Sequence, residues 1–203
     1  MTIAKGEPWG EDVERPGDLR VAADDAELAR LLADGSGTPT AVAAGDMART
    51  IGARPIGDRT ALLSFPIDLV HVRIDDHTEH VAVAHLVVRL PWARGGALRG
   101  PVLVVMNAEW IGDFEVAPRG HPNDGRVETL LGDPSLGLRQ RLAIRTRLRN
   151  ASHLPHPAIT TRAVRQHDWS FEREMDVLID GERVDRGRHV SVKVEADAAV
   201  LFA

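Results

Sequence analysis

The fold is decided by one stretch of sequence: IDLVHVRI at residues 67–74, DDHTE at 75–79 and HVAVAHLVVRL at 80–90. Both outer runs are rich in valine, isoleucine or both, and such β-branched residues are typical of strands. The polar segment between the runs predicts a turn. We therefore expect the two runs to form an antiparallel hairpin.

More apolar runs follow at the short spacing that is typical of a β-sandwich. They cover residues 102–106, 127–131, 159–165, 175–179, 189–195 and 199–202. A helical pattern at about residues 135–150 interrupts them, after an Asp-Pro pair. The sequence predicts an α+β, mainly β fold, in which a two-layer antiparallel β-sandwich carries one covering helix.

The chain before the hairpin is organised differently. Residues 1–18 are polar and show no apolar period, which predicts a loose arm. A small α/β piece is expected next. Its elements are a strand at 19–22, a helix at 25–33 capped by Asp24 or Asp25, a strand at 39–44, a helix at 45–51 and one helical turn at 59–64. We predict a division into residues 1–18, 19–64 and 65–203.

The amino-acid composition narrows the range of possible functions. The chain has 203 residues, 43% of them apolar, and a formal net charge of −5. A core can form, whereas binding to nucleic acid is disfavoured because neutralising phosphates needs an excess of positive charge. No apolar run reaches the length of a membrane span, and residues 1–12 lack the apolar segment of a signal peptide. We expect a cytoplasmic protein. The absence of cysteine leaves any catalysis to His, Asp, Glu, Ser or Thr.

A series of short motifs occurs in a fixed order from Asn107 onward. The motifs are NAEWIG at 107–112, VAP at 116–118, NDGRVE at 123–128, HLPHP at 153–157 and IDGE at 179–182. This order resembles the C-terminal lipid-binding domain of the diacylglycerol and sphingosine kinase family. Upstream, AGDMART at 44–50 is similar to the family's nucleotide-binding Gly-Thr-Gly-Asn-Asp-Phe-Ala-Arg segment.

The resemblance implies a site for lipid phosphorylation. Glu182 would be the general base that takes the proton from the lipid hydroxyl, with Asp180 as alternative or helper, and a base needs a raised pKa. The competing interpretation is a plain hairpin turn, since Asp-Gly between apolar runs is itself a turn signal. The lipid chain would lie in an apolar pocket between strand layers. The residues expected to line it are Val83, Val87, Val104, Met106 and Val177.

The resemblance also implies cofactors. Gly45 and Asp46 fall at the nucleotide-binding segment, although Ala43 stands where the family has a threonine. Asp124, with the backbone carbonyls of His121 and Arg126, would hold Mg²⁺, which prefers oxygen ligands. The alternative for Asn-Asp-Gly is again a plain turn. The family's Gly-Gly-Asp-Gly-Thr phosphate loop is missing, and too few residues precede the first helix for half a nucleotide domain. We therefore expect no useful binding of ATP.

Two further patterns are open to more than one interpretation. His77 and His80 could form a metal-ligand pair, but histidines in a hairpin turn are usually solvated, and His153 and His156 suit a structural turn beside prolines. The arginines of the 135–150 helix could contact anionic lipid at a membrane surface, or could be the solvated face of a covering helix.

The sequence thus favours a member of the lipid-kinase family that binds a lipid or another amphipathic ligand, with little activity of its own. The alternatives are an active lipid kinase, or one subunit of a split kinase whose nucleotide domain is a separate chain. A homodimer is also compatible with the sequence.

Overall fold

Strands dominate the computed structural model, which describes residues 9–75 and 79–203. The strands are β1 (Glu11–Glu14), β2 (Arg20–Ala22), β3 (Thr40–Val42), β4 (Ala61–Ile74), β5 (Glu79–Ala82), β6 (His85–Arg89), β7 (Val102–Met106), β8 (Trp110–Ile111), β9 (Phe114–Glu115), β10 (Val127–Gly132), β11 (Ile159–Val164), β12 (Gln166–Ile179) and β13 (Glu182–Phe202). The helices are α1 (Asp25–Ala33), α2 (Asp46–Thr50) and α3 (Leu138–Arg147). Short 3-10 turns lie at Trp92–Arg94, Gly96–Leu98 and Leu148–Asn150.

The large sheet runs in the order β1-β4-β13-β12-β6-β7-β10-β11, and its neighbours along this path are antiparallel. β5 pairs with β4, which confirms the predicted hairpin. Residues 76–78 of its turn lie outside the described residues. The α+β, mainly β class predicted from the sequence is confirmed.

The run at 80–90, predicted as one strand, is two. β5 ends at Ala82, and β6 begins at His85 on the far side of Val83 and Ala84. β5 pairs with β4 whereas β6 pairs with β12 and β7, so this bend curls the sheet back on itself. The curled sheet encloses a core to which most strands contribute through alternate residues. Core members include Val72, Val88, Leu103, Val177 and Val192.

The region upstream of the hairpin is more closely joined to the sheet than the sequence suggested. Residues 11–14, predicted to be part of a loose arm, form β1 and pair with β4. Residues 61–64, predicted as a helical turn, begin β4 because Leu62 and Phe65 are buried on the sheet. β4 therefore runs across the predicted boundary at residue 64. The division of the chain into domains stays a prediction.

Apart from the helical turn at 59–64, the elements of the small α/β piece form close to where they were predicted. Asp24 caps α1 by accepting a hydrogen bond from the Glu27 backbone N–H at 2.8 Å. β3 lies between β2 and the end of β13, and is parallel to both. Leu28 of α1 and Met47 of α2 are buried in one apolar cluster with residues of β4 and β13. α1 and α2 thereby rest on the same sheet that carries the C-terminal motifs.

Candidate functional site

Asp180 and Gly181 form a two-residue loop between β12 and β13. Ile179 pairs directly with Glu182, and φ is +48° at Asp180 and +87° at Gly181. Positive φ at both positions is typical of a type I′ hairpin turn, which Asp-Gly favours. The hairpin predicted at this motif is therefore present.

The Asp180 carboxylate points inward and fills the bend between β5 and β6. It accepts hydrogen bonds from the backbone N–H groups of Val83, Ala84 and His85, each at 2.9 Å. These three amides face away from the strand pairing at the bend, and a buried N–H without an acceptor is costly. Asp180 therefore holds the bend that curls the sheet, a role that the sequence pattern did not indicate.

A second buried carboxylate, Asp25, lies at the start of α1 and binds the start of α2. It accepts hydrogen bonds from the backbone N–H groups of Asp46 at 2.6 Å and of Met47 at 3.1 Å. Gly45 precedes them with φ of +114°, and a Cβ there would lie 2.5 Å from Asp25 Oδ1. A glycine is thus required at position 45 by the close approach of Asp25. The amides that could have met a phosphate already meet a carboxylate.

Asp25, Asp46, Asp180 and His85 together form what we name the carboxylate cluster. His85 Nδ1 lies 3.3 Å from Asp46 Oδ2, but without the geometry of a hydrogen bond. Burial lowers the pKa of His85 to about 4, so the ring is neutral near pH 7. Asp46 accepts a hydrogen bond from the Gly112 backbone N–H at 2.7 Å. The cluster links α1, α2, the β5–β6 bend and the loop that carries the first C-terminal motif.

Desolvation controls the ionisation of this cluster. Burial raises the pKa of Asp180 to about 7. The charge of Asp25 adds to this rise, whereas the three backbone N–H donors lower the pKa and offset part of it. Burial raises the pKa of Asp25 to about 6, and it raises the pKa of Asp46 as well. Raised carboxyl pKa values are a feature of many functional sites, but structural networks share it. Here both oxygens of Asp180 and of Asp25 are engaged by backbone amides.

Glu182, the predicted base, is placed differently from Asp180. Its carboxylate lies 3.3 Å from the Arg30 guanidinium of α1, and both side chains are about 60% exposed. Glu182 and Asp180 line a cavity of about 350 Å³ between α1 and the β12–β13 turn, which we name the α1 cavity. An exposed ion pair of this kind contributes little to stability. The assignment of Glu182 as a base stays a prediction.

The predicted Mg²⁺ loop is a tight turn. Asp124 Oδ1 accepts a hydrogen bond from the Arg126 backbone N–H at 2.9 Å, and the backbone N–H of Asn123 donates to His121 Nδ1 at 3.2 Å. The buried Asp68 carboxylate supports the loop by accepting from the Gly125 N–H at 2.6 Å. Over residues 9–75 and 79–203, no group of three His, Asp or Glu side chains could hold a metal ion. A site built from Asp124 and the two carbonyls stays a prediction.

The second candidate region is an apolar cavity of about 420 Å³ beneath α3, which we name the α3 cavity. Its floor is the outer face of the sheet at Val87, Val104 and Leu130, and its roof is α3 with the 3-10 turns at 92–98. Val87 and Val104 were predicted to line a pocket. Val83, Met106 and Val177 were predicted with them but do not line it. Val83 and Val177 belong to two other apolar clusters, whereas Met106 lies on the same face of β7 as Val104 but is fully buried in the cluster beside the cavity.

α3 packs in an orientation that its sequence does not suggest. Leu138 and Leu142 are 55% and 47% exposed, whereas Arg141 is buried. The Arg141 guanidinium donates to the backbone carbonyls of Leu136, Ala97 and Gly100 at 2.8, 3.0 and 2.5 Å, and to that of Asp133 at 3.3 Å. These bonds compensate its burial and fasten α3 to the 3-10 turns. Arg141 therefore closes the α3 cavity instead of facing solvent.

The remaining histidines have separate roles. His153 is buried against the α3 cavity, and its Nε2 lies 3.1 Å from the Val116 carbonyl oxygen. His156 accepts a hydrogen bond from the Ala158 backbone N–H at 3.1 Å, which suits the predicted structural turn. His80 lines the α1 cavity, whereas His77 lies outside the described residues. No helix within residues 9–75 and 79–203 has the length and apolarity needed to cross a bilayer.

Comparison with known proteins identifies the fold. No protein-family model and no curated protein matches the sequence. The structure is similar to that of a diacylglycerol kinase from Bacillus anthracis strain Sterne, with a TM-score of 0.63 at 12% identity over 91% of this chain and 75% of the other. Two further structures from that strain, provisionally assigned as diacylglycerol kinases, give TM-scores of 0.64 and 0.63 at 13% and 12% identity, over 91% of this chain and 77% of each. The chain shares the fold of these proteins.

Proposed function

We propose that this protein binds a lipid or another amphipathic molecule, whose hydrocarbon chain occupies the α3 cavity. The observation that carries the proposal is the cavity itself: about 420 Å³ walled mostly by apolar side chains. Cavities of roughly 300–1,000 Å³ with such walls are typical binding sites for small molecules. The likeness of the fold to diacylglycerol kinases supports a ligand of the lipid class.

The direct experiment is native mass spectrometry of the purified protein, with and without added lipids. Val104→Phe places a larger side chain on the cavity floor and is expected to abolish binding. Val200→Phe is the matched control, because Val200 lies on β13, is half exposed and does not line the cavity. Equal lipid binding by the two variants, at equal stability, would remove the α3 cavity as the site.

We further propose that the chain alone does not bind ATP with useful affinity. The N–H groups of Asp46 and Met47, at the start of α2, are occupied by Asp25. Phosphoryl transfer depends on backbone donors and Mg²⁺ around the transferred group, and the sequence lacks the Gly-rich loop that would supply them. If a second chain supplies that loop, ATP binding requires both chains.

Isothermal titration calorimetry with ATP and Mg²⁺ tests this point. A dissociation constant weaker than about 100 μM, or roughly −5.5 kcal/mol, is expected. Tighter binding would favour the second candidate function, an active lipid kinase, for which the fold likeness to diacylglycerol kinases is the specific support.

A peripheral membrane contact is proposed for the face around α3. Leu138 and Leu142 are exposed there, and Trp92 of the cavity wall is 70% exposed. Arg139, Arg145 and Arg149 add positive charge, which suits anionic lipid. Flotation with vesicles of phosphatidylglycerol is expected to recover the protein, and Leu138→Glu/Leu142→Glu to prevent it. Recovery that is unchanged by this double substitution would exclude α3 as the contact.

A further inference from the structure

A continuous row of side chains joins the floor of the α3 cavity to a pair of exposed arginines. Directly paired residues of neighbouring antiparallel strands lie on the same face of a sheet. The row crosses β10, β7, β6, β12 and β13, and its members are Leu130, Val104, Val87, Leu178 and Arg183. The first three line the α3 cavity, and Leu178 follows, half-buried. The apolar row therefore ends at Arg183, about 10 Å from Val87 at the usual spacing of strands.

A β-bulge places the second arginine on the same face. The pairing of β12 with β13 shifts by one residue at Val184, which has no direct partner on β12. A bulge of this kind changes the alternation of faces along its strand. Arg183 and Arg186 are three positions apart and would project to opposite faces of a regular strand. Because of the bulge, both guanidinium groups reach the carboxylate of Asp176 on β12.

Arg89, Arg183 and Arg186 surround Asp176, and we name these four residues the arginine cluster. Nε and Nη2 of Arg186 each lie 3.0 Å from Asp176 Oδ1, and Nη1 of Arg183 lies 3.5 Å from the same oxygen. Nη1 of Arg89 lies 3.8 Å from Asp176 Oδ2. Three guanidinium groups thus face one carboxylate, which leaves an excess of two positive charges in the cluster.

The three arginines differ in how far they are open to a ligand. Arg89 is buried, donates to the Leu90 carbonyl at 3.0 Å and lies 4.5 Å from the centre of the Trp92 ring, which also lines the α3 cavity. The side chains of Arg183 and Arg186 are 56% and 44% exposed. Within residues 9–75 and 79–203 the Arg183 guanidinium donates no hydrogen bond, and Arg186 donates through Nε. Both therefore keep N–H groups that can donate to a ligand.

We propose that the ligand of the α3 cavity is an anionic amphiphile, whose carboxylate or phosphate group is bound by Arg183 and Arg186. This inference rests on the proposed function, because it requires the hydrocarbon chain to lie in the α3 cavity and to pass over Leu178. Guanidinium groups match carboxylate and phosphate oxygens with parallel N–H donors. Asp176 is a positioning residue, since its buried carboxylate holds the two exposed guanidinium groups side by side.

The experiment compares ligands that share one chain and differ in the head group. Decanoate, decyl phosphate and decanol are titrated by calorimetry below their micelle and solubility limits at low salt, with inorganic phosphate as the probe without a chain. We expect the wild-type protein to bind an anionic ligand about tenfold more tightly than decanol, since the arginines are partly exposed. Sodium chloride at about 0.5 M should reduce this preference by screening. An apolar cavity alone would favour decanol.

Two double substitutions separate the arginine cluster from general charge. Arg183→Gln/Arg186→Gln is expected to bind decanol as the wild type does and to lose the preference for the anions. Arg162→Gln/Arg165→Gln is the matched control, because it removes two exposed arginines that do not line the α3 cavity, and it should keep the preference.

Urea denaturation verifies that both double variants are folded. If Arg183→Gln/Arg186→Gln does not fold, Arg183→Gln alone serves as the test, because the Arg183 guanidinium makes one long ion pair at 3.5 Å and no hydrogen bond within the described ranges, 9–75 and 79–203. This single substitution should reduce the preference from about tenfold to about threefold.

The outcomes distinguish this inference from the function on which it rests. If none of the three ligands with a chain binds, the proposed function fails and the inference fails with it. If decanol binds the wild type as tightly as both anions, the α3 cavity holds a chain but the arginine cluster does not bind its head group. A preference that persists in Arg183→Gln/Arg186→Gln would overturn the inference and assign the charge to another cation, such as Arg145 of the cavity wall. Inorganic phosphate bound as tightly as decyl phosphate would overturn the link between the anion site and the cavity.

Discussion

The carboxylate cluster and the α3 cavity differ in the contacts that the surrounding protein makes with them. In the cluster, Asp25 and Asp180 are buried and saturated by backbone N–H groups. In the α3 cavity, the walls are mostly apolar and about 420 Å³ between them holds no protein atoms. A carboxylate saturated by backbone amides has little capacity left for a ligand, whereas the side chains around an apolar cavity lack packing contacts that a hydrocarbon chain can supply. The comparison favours an architectural role for the first region and is consistent with the ligand binding proposed for the second.

The largest effect is expected from Asp180→Ala. The substitution leaves three buried N–H groups at the β5–β6 bend without an acceptor, and should lower the free energy of unfolding by about 3 kcal/mol or more. Urea denaturation measures this loss of stability. Glu182→Ala, in the same turn but exposed, is the control and should change stability by less than about 0.5 kcal/mol. Similar values for the two variants would show that Asp180 is not an architectural residue.

Arg141→Met tests whether the α3 cavity also depends on one buried polar group. The thioether fills similar space but cannot donate to the backbone carbonyls of the 3-10 turns, so we expect a loss of about 2 kcal/mol of stability. Ligand affinity should fall as well, because α3 is no longer fastened over the cavity. Arg147→Met, at an exposed position of α3, controls for the lost charge. If both variants bind lipid as the wild type does, the cavity roof does not need Arg141.

Asp25→Asn tests the role of this buried carboxylate through the pH dependence of stability. The folded-state pKa of Asp25, about 6, is above the ordinary carboxyl value of 3.8, so the folded state holds the proton more tightly than the unfolded state. Asp25 therefore reduces stability as pH rises from about 4 to above 6, and by linkage the effect is about 3 kcal/mol. The stability of Asp25→Asn relative to the wild type should rise over that window.

The quantity to measure is the difference in free energy of unfolding between Asp25→Asn and the wild type at each pH. His85 acts in the opposite direction, because its folded-state pKa of about 4 lies below the ordinary 6.5, but it is present in both proteins and cancels. Urea denaturation at several pH values gives the two curves. Parallel curves would mean that burial does not raise the Asp25 pKa.

The smallest effect is expected from Glu182→Gln. Glu182 is exposed and paired with Arg30 at the rim of the α1 cavity, away from the walls of the α3 cavity. Lipid affinity should stay within about twofold of the wild type, since surface ion pairs contribute little. A marked loss of lipid affinity would place the ligand's polar group at the α1 cavity and weaken the division between the two regions.

Local patterns in the sequence were sufficient to predict much of this fold. The hairpin of β4 and β5, the cap of Asp24 on α1 and the Asp-Gly turn each depend on residues that are close in the chain. Val87 and Val104 were likewise expected at a pocket, from the resemblance to lipid kinases. The roles of Asp25, Arg141 and His153 were missed, because their partners lie at least five residues away and as many as forty-four.

The sequence by itself was enough to predict the approximate positions of most strands and of several turns, and it carries no cysteine and therefore no thiol. The tertiary structure decided what the polar residues do. An Asp-Gly pair predicts a turn wherever it occurs, but only the approach of the β5–β6 bend, ninety-five to ninety-seven residues away, makes Asp180 a buried anchor. In the same way, an arginine on a helix is expected to face solvent until distant carbonyls converge on it, as they do on Arg141. Hydrogen bonds and desolvation act between groups that meet in space, so they follow the packing of the chain and cannot be obtained from its local order.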